Sequence, residues 1–409
     1  MSFFAQLYWV FIFGGFAVAF RYWYEWLNTR WLENIIGEWF GQQEFTTVFI
    51  QPPSQNIKSL AAMEAFFRNM HAIHTTKSNK NAYYEGSWYK HFTLEIHSIG
   101  GRVGIFAYMF KSDLGLFKQA LTAHYPECTV IECPDPMEYL PSEWDKAKGA
   151  GPYKYMVGAD FVLAQSDMFP TKTWRDLMPD GMTALYDPIN ALFSTFESLK
   201  PNEHCVLQYV IRPNTKSFGD WGKKREKEAE ELKKKLATNS DVEATKFGTM
   251  ALTREEQALI QGVQQKLSQF GVFETKIRFM ALSEDNPGVN AYLGFAANFF
   301  KQMDGLKNSI IPDDKTKTTK VSNWFPIFDD LYWKNEKKHR QEREYAAVRG
   351  RSWSRSNIHN VQTADILAAL VHMPITSVTD VGVTMRIQSN FGLTPNSAPA
   401  GAPPINLPT

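Results

Sequence analysis

Between Thr46 and Cys133 the spacing of apolar residues switches repeatedly between two and about 3.6, and the order of those switches narrows the fold more than any other feature. TTVFIQPP (Thr46 to Pro53) reads as a strand stopped by its prolines, and Ser59 to His74 carries Leu60, Met63, Phe66, Phe67 and Met70 at helical spacing. Phe92 to Ser98 alternates: Phe92, Leu94 and Ile96 share one face, and Glu95 and His97 fall on the other, where solvent exposure is the simpler expectation. Gly100-Gly101 signals a hairpin into Arg102 to Phe110. Ser112 to His124 predicts a second helix, and Cys128 to Cys133 a closing strand. The order is β-α-β-β-α-β, the split-βαβ or ferredoxin-like plan, placed over residues 45–140.

A second, less complete version follows over 150–304. Tyr155 to Ala164 reads as a strand, Asp187 to Leu199 as a helix opened by Asp187-Pro188, and Cys205 to Arg212 as a strand. The charged run 222–237, with only Leu232 and Leu236 as an apolar seam, reads most simply as a solvated helical insertion, with a docking arm as the weaker alternative. Thr253-x-x-Glu256 is a capping box ahead of Leu259, Ile260, Val263 and Leu267. Phe273 to Ala281 then alternates with Glu274, Lys276 and Arg278, a half-buried strand, and Asn290 to Met303 is an apolar helix. Residues 305–360 read as irregular and basic, 361–374 as a short helix capped by Thr363, and 375–409 as an extension with a Pro-rich tail.

Phe3 to Phe20 carries no charge over 18 residues, about 27 Å of helix. This length predicts a transmembrane helix over 1–21 and an amphipathic juxtamembrane helix over 22–44, with Tyr22, Trp23, Tyr24 and Trp26 at the membrane interface. Arg21 and Arg30 follow the span, which puts the body on the cytoplasmic side of the inner membrane. A cleaved signal peptide, suggested by Ala17-Val18-Ala19, is the weaker reading because the leading segment lacks a basic region. The expected fold class is therefore α+β: a transmembrane helix, then tandem ferredoxin-like modules with antiparallel or mixed sheets.

Charge is balanced, with 44 Lys and Arg against 43 Asp and Glu, so attraction to nucleic acid or anionic lipid must be local. The local excess lies at Lys334, Lys337, Lys338, Arg340, Arg343, Arg349, Arg351 and Arg355, interleaved with Tyr345 and Trp353. That mixture can grip phosphates and stack on bases, meet lipid headgroups, or serve as a solvated connector. Cys128, Cys133 and Cys205 read as packing residues, with a Cys128 to Cys133 bridge left open. His71 and His74 stand three apart on a helix but have no third ligand nearby in sequence. No G-x-x-x-x-G-K-[ST] string occurs; Gly219-Asp220-Trp221-Gly222-Lys223 comes nearest, with its glycines too close. Nor is there a nucleophile or metal motif, so no catalytic residue, cofactor or metal site is expected.

FTLEIHSIGGRVGIFAY, LTAHYPECTVIE, DPINALFSTFESLKPNEHCVLQYVIRP and TADILAALVHMP together resemble, in order and spacing, the membrane-anchored region that precedes the motor domain in type IV secretion coupling-protein-like ATPases of the FtsK/HerA class, as in candidate-phyla bacteria. The likeness runs from about Val48 to Pro374. It implies a non-catalytic assembly module of a secretion or conjugation system, positioning an ATPase supplied in trans or by a continuation beyond APPINLPT. Membrane lipid is a further implied partner, and DNA and a second copy of the chain stay open. The alternatives are a nucleic-acid-binding protein using the basic stretch and a membrane-associated enzyme of unrecognised class.

Overall fold

The computed structural model describes residues 3–53, 56, 59–74, 79–178, 187–214, 222–234, 253–269, 271–319, 329–353 and 360–375. The chain divides into two compact units: residues 1–44 with 75–90, and residues 45–74 with 91–409.

The first unit is built on one helix, α1 (Phe3–Gly41), beside which α3 (Asn79–Tyr84) packs. Gly86, just past α3, sits at φ 64°; a Cβ there would come within 2.2 Å of the Ile35 carbonyl oxygen, so only glycine permits this close approach. The expected membrane span is corrected here. Among the described residues no helix is long and apolar enough to cross a membrane, and the predicted placement in the inner membrane falls with it. The physical difference is continuity: the apolar leader and the charged stretch behind it form one 39-residue rod, with Arg21, Glu25, Arg30, Glu33 and Glu38 on the same helix. The side chains of residues 3–14, 16 and 17 lie outside those described.

The second unit is an α+β body on a nine-stranded antiparallel sheet. Its strands are β1 (Phe45–Gln51), β2 (Phe92–Ile99), β3 (Arg102–Phe110), β4 (Thr129–Cys133), β5 (Tyr155–Leu163), β6 (Glu203–Pro213), β7 (Val272–Ser283), β8 (Ile310–Pro312) and β9 (Val361–Thr363). The order is β4-β1-β3-β2-β6-β7-β5-β8, with β9 also on β7. Numbered within each half, this reads 4-1-3-2 and then 2-3-1-4: two split-βαβ units joined through their second strands, β2 with β6 over eight residue pairs. The tandem modules are thus one continuous sheet, and β8, inside the stretch expected to be irregular, closes the second.

Helices α2 (Ala61–Met70), α4 (Leu114–His124), α6 (Pro188–Glu197), α9 (Asn290–Lys301) and α11 (Ala364–Leu370) share one core with the strands, including Phe66, Phe117, Phe193, Phe300 and Leu367. Burying one such side chain is worth about 1.5–3 kcal/mol, so this layer carries most of the cohesion. Alternation sends Val157, Leu207 and Phe279 into that core. It sends Met156, Val206 and Met280 to the other face, against Tyr345 and Val348 of α10 (Asp329–Arg349) and against Met137, Leu140 and Trp144.

Short α5 (Trp174–Leu177) and the capped α8 (Arg254–Ser268) complete the body with α7 (222–234), which docks rather than standing in solvent. Arg225 of α7 lies 2.6 Å from Asp167, and Ala229 and Leu232 pack with Met168 and Val263. The three cysteines are free thiols; burial pushes Cys128 and Cys133 up to about 12.

Candidate functional site

Four adjacent strands place one polar residue each in a straight rank beneath α10: Glu95 opposite Gln208, Gln208 opposite Arg278, and Arg278 opposite Asp160. Each is bonded to the next. Gln208 Nε2 donates to Glu95 Oε1 at 2.9 Å, Arg278 Nη1 to Gln208 Oε1 at 3.4 Å, and Arg278 Nε to Asp160 Oδ1 at 3.0 Å. Arg278 also donates to the carbonyls of Ala347 and Ser352, tying the end of α10 to the sheet.

Arg351 closes the rank. It donates to both oxygens of Glu95 (2.7 and 2.9 Å) and of Asp135 (2.5 and 2.7 Å), with its guanidinium 4.0 Å over the Tyr108 ring. Its backbone sits at φ 48°, a left-handed conformation costing an L side chain roughly 1–2 kcal/mol, which the double fork offsets. Burial opposes ionisation of Glu95, but Arg351 and the bond from His97 outweigh it and hold the carboxyl well below the usual range.

His97 lies 2.9 Å from Glu95 and 3.2 Å from His204. Burial and the neighbouring His97 push His204 down to about 3. The expected solvent exposure of Glu95 and His97 is corrected: they are 1% and 0% exposed, Glu95 held beneath Arg351 and beside Gln208, and His97 between Glu95 and His204. Beside them Arg212 pairs with Glu274 and lies 4.2 Å over the Trp353 ring. Burial and the nearby Arg278 push Lys276 down to about 8, and burial and Asp160 push Glu344 up to about 8. Arg212, Glu274, Lys276 and Glu344 are all buried, and Glu344 Oε2 finds no hydrogen-bond partner among the described residues.

Three of the eight basic residues, Arg340, Arg349 and Arg351, are held by the body itself. Arg340 donates to Glu336 at 3.0 Å and to the Asp314 and Lys317 carbonyls, Arg349 donates to the Leu140 carbonyl at 3.3 Å, and Arg351 is buried. Arg343, with its side chain 66% exposed, pairs with Glu336; Lys338 is exposed and Lys337 half-buried. The Lys334 side chain, Arg355 and the tail past residue 375 lie outside the described residues, as do Gly219 to Trp221. Tyr22, Trp23, Tyr24 and Trp26 are all exposed on α1.

A cavity of about 620 Å³ opens between the Pro170 to Asp176 segment, α8, the turn at Asp304 and the start of α11. Sequence reasoning missed it, because its walls come from four distant stretches. The stem of Lys266 lines it, and burial pushes the amine down to about 8 against the opposing pull of Asp167 and Asp365. Lys266 Nζ and Thr171 Oγ1 find no hydrogen-bond partner among the described residues. Asp365 accepts from Thr363 Oγ1 and the Ile366 amide, and Arg175 reaches Glu64 at 2.9 Å. His71 and His74 stand 5.6 Å apart by ring centre. Among the described residues no group of three or more His, Cys, Asp or Glu is placed to hold a metal ion.

A family model described as a domain of unknown function, DUF8128, matches residues 38–385. The chain belongs to the DUF8128 family. That match starts near the end of α1 and runs past α11, so the DUF8128 region takes in the whole sheet, the polar rank and the cavity. Comparison with curated proteins finds no match.

Proposed function

We propose that this DUF8128 chain is a non-catalytic assembly module that positions a FtsK/HerA-class ATPase, or that ATPase's cargo, in a secretion or conjugation machine. The resemblance running from Val48 to Pro374 supports the reading, because the likeness lies in strand and helix segments that form the sheet and its covering helices. The observation that carries it is the polar rank. Glu95, Gln208, Arg278, Asp160 and Arg351 are committed to one another and to the backbone of α10 and the residues just after it. These buried polar groups thus lock two layers together, a use suited to a rigid platform that meets other molecules at its surface.

Crosslinking mass spectrometry on cells carrying the native protein tests the proposal. Crosslinks from surface lysines of the sheet body, such as Lys118 and Lys338, to a protein bearing a phosphate-binding loop are the expected result. Turnover of ATP by the purified chain alone, or a crosslink map containing no such ATPase, overturns it.

A further inference from the structure

Six charged side chains among the described residues line the cavity beside Lys266, and four of them are engaged. Lys172 donates to the Gln302 carbonyl at 3.2 Å, Arg175 to Glu64 at 2.9 Å, and Asp176 accepts from the amide and hydroxyl of Thr173 at 2.7 and 2.9 Å. Asp365 accepts from Thr363 and the Ile366 amide, with Arg175 3.6 Å away. The other two, Lys266 and Asp304, are opposite in sign. Lys266 Nζ and Asp304 Oδ1 find no hydrogen-bond partner among the described residues, and neither does the Thr171 hydroxyl. Lys266 and Thr171 are each 3% exposed, so bulk water serves neither well.

Asp304 and Thr171 stand together. A Cβ on Gly305 would lie 2.4 Å from the Pro170 carbonyl oxygen and 3.1 Å from Thr171 Cα, so glycine lets the turn that carries Asp304 press against the Thr171 backbone. Lys266 comes from α8, and its flexible four-carbon stem lines the same space, into which the amine can turn. The charges acting on that amine are Asp167 and Asp365, which favour its ionised form, and Arg225, which opposes it; burial outweighs the attraction. A carboxylate in the cavity would therefore restore what burial takes away. Leu259, Leu306 and Ile366 add apolar wall, and a volume of about 620 Å³ suits a small molecule.

We propose that this cavity binds a small zwitterion with an apolar side chain, of the free amino-acid type. Its carboxylate pairs with Lys266, its ammonium donates to Asp304 with the Thr171 hydroxyl at the same end, and its side chain lies on the apolar wall. A simple anion would leave Asp304 unanswered and be repelled by it, and a simple cation would meet the same objection at Lys266. The site stands whether or not the chain positions an ATPase.

Calorimetric titration of the purified full-length protein with L-leucine and L-phenylalanine tests it. For each, the amide removes the carboxylate and the N-acetyl derivative removes the ammonium. Saturable binding of at least one of the two amino acids is expected at micromolar to millimolar concentration, with its amide and its N-acetyl derivative each at least about tenfold weaker. Lys266→Met should weaken the amino acid to the level of its amide, and Asp304→Asn should weaken it to the level of its N-acetyl derivative, while circular dichroism stays that of the parent. No heat from either amino acid at roughly 20 mM, an amide or N-acetyl derivative that binds within about twofold of the amino acid, or a variant that binds the amino acid like the parent would each overturn the assignment.

Discussion

Arg351→Met should be among the most damaging single changes in the sheet body. The substitution keeps an L side chain at φ 48°, so the backbone strain is unchanged, and the effect isolates the loss of the guanidinium. Four charge-assisted bonds to Glu95 and Asp135 disappear, and Glu95, 1% exposed, is left as a buried carboxylate with only Gln208 and His97 for company. Breaking a buried pair in this way costs about 3–5 kcal/mol. At a urea slope of about 3 kcal/mol per molar, the midpoint should fall by about 1 M or more. Tryptophan fluorescence is a suitable probe, since Trp353 stacks on Arg212 two residues away in sequence. Adding Glu95→Gln to Arg351→Met removes the stranded charge and should recover about 2 kcal/mol. The pH dependence has a fixed sign. Because Arg351 depresses the Glu95 carboxyl in the folded protein, its stabilisation is complete above the ordinary value of 4.5 and declines as pH falls towards the folded value. The gap between parent and Arg351→Met should therefore narrow on acidification below 4.5. A midpoint shift under about 0.3 M, or a double variant no more stable than Arg351→Met, would refute the reasoning.

Gly101→Ala puts a Cβ 2.9 Å from the carbonyl oxygens of Glu197 and Leu199 at φ 80°; it should cost at least about 1–2 kcal/mol, read as a lowered melting temperature. Lys266, at about 8 when folded against an ordinary 10.5, binds its proton more weakly folded than unfolded, so Lys266→Met should be more stable than the parent at pH 7 and that advantage should shrink between pH 8 and 10.5; the comparison cancels the buried thiols and tyrosines, whose raised values pull stability the other way. Thr253→Ala removes the reciprocal cap with Glu256 and should lower stability by about 1 kcal/mol, whereas Thr253→Ser should change it little.

The elements that could be read from sequence are those whose signal is local. Strands β1 to β4 and helices α2 and α4 follow from spacing, and α8 from Thr253 and Glu256. What covers the second face of the sheet was illegible, since alternation assigns Glu95, Glu274 and Arg278 to one side without saying what lies beyond it. The cover, α10, has scarcely an apolar seam: Tyr345 and Val348 anchor it, and Arg340 and Gln341 work through backbone carbonyls. A helix attached by polar contacts reads from sequence as solvated. For the same reason α7 looked free, although the Arg225–Asp167 ion pair and the packing of Ala229 and Leu232 dock it. The three-residue β8 is too short for any period to register, and the lining of the Lys266 cavity is scattered from Pro170 to Ile366.

Joining the halves through β2 and β6 has a practical consequence for anyone dividing the protein. Each strand would be an unpaired border in its own half, and the two are heavily apolar on the helix side. A cut in the crossover near residues 141–154 would release two fragments with raw, mutually adhesive margins. Such pieces should re-zip when mixed and precipitate when kept apart.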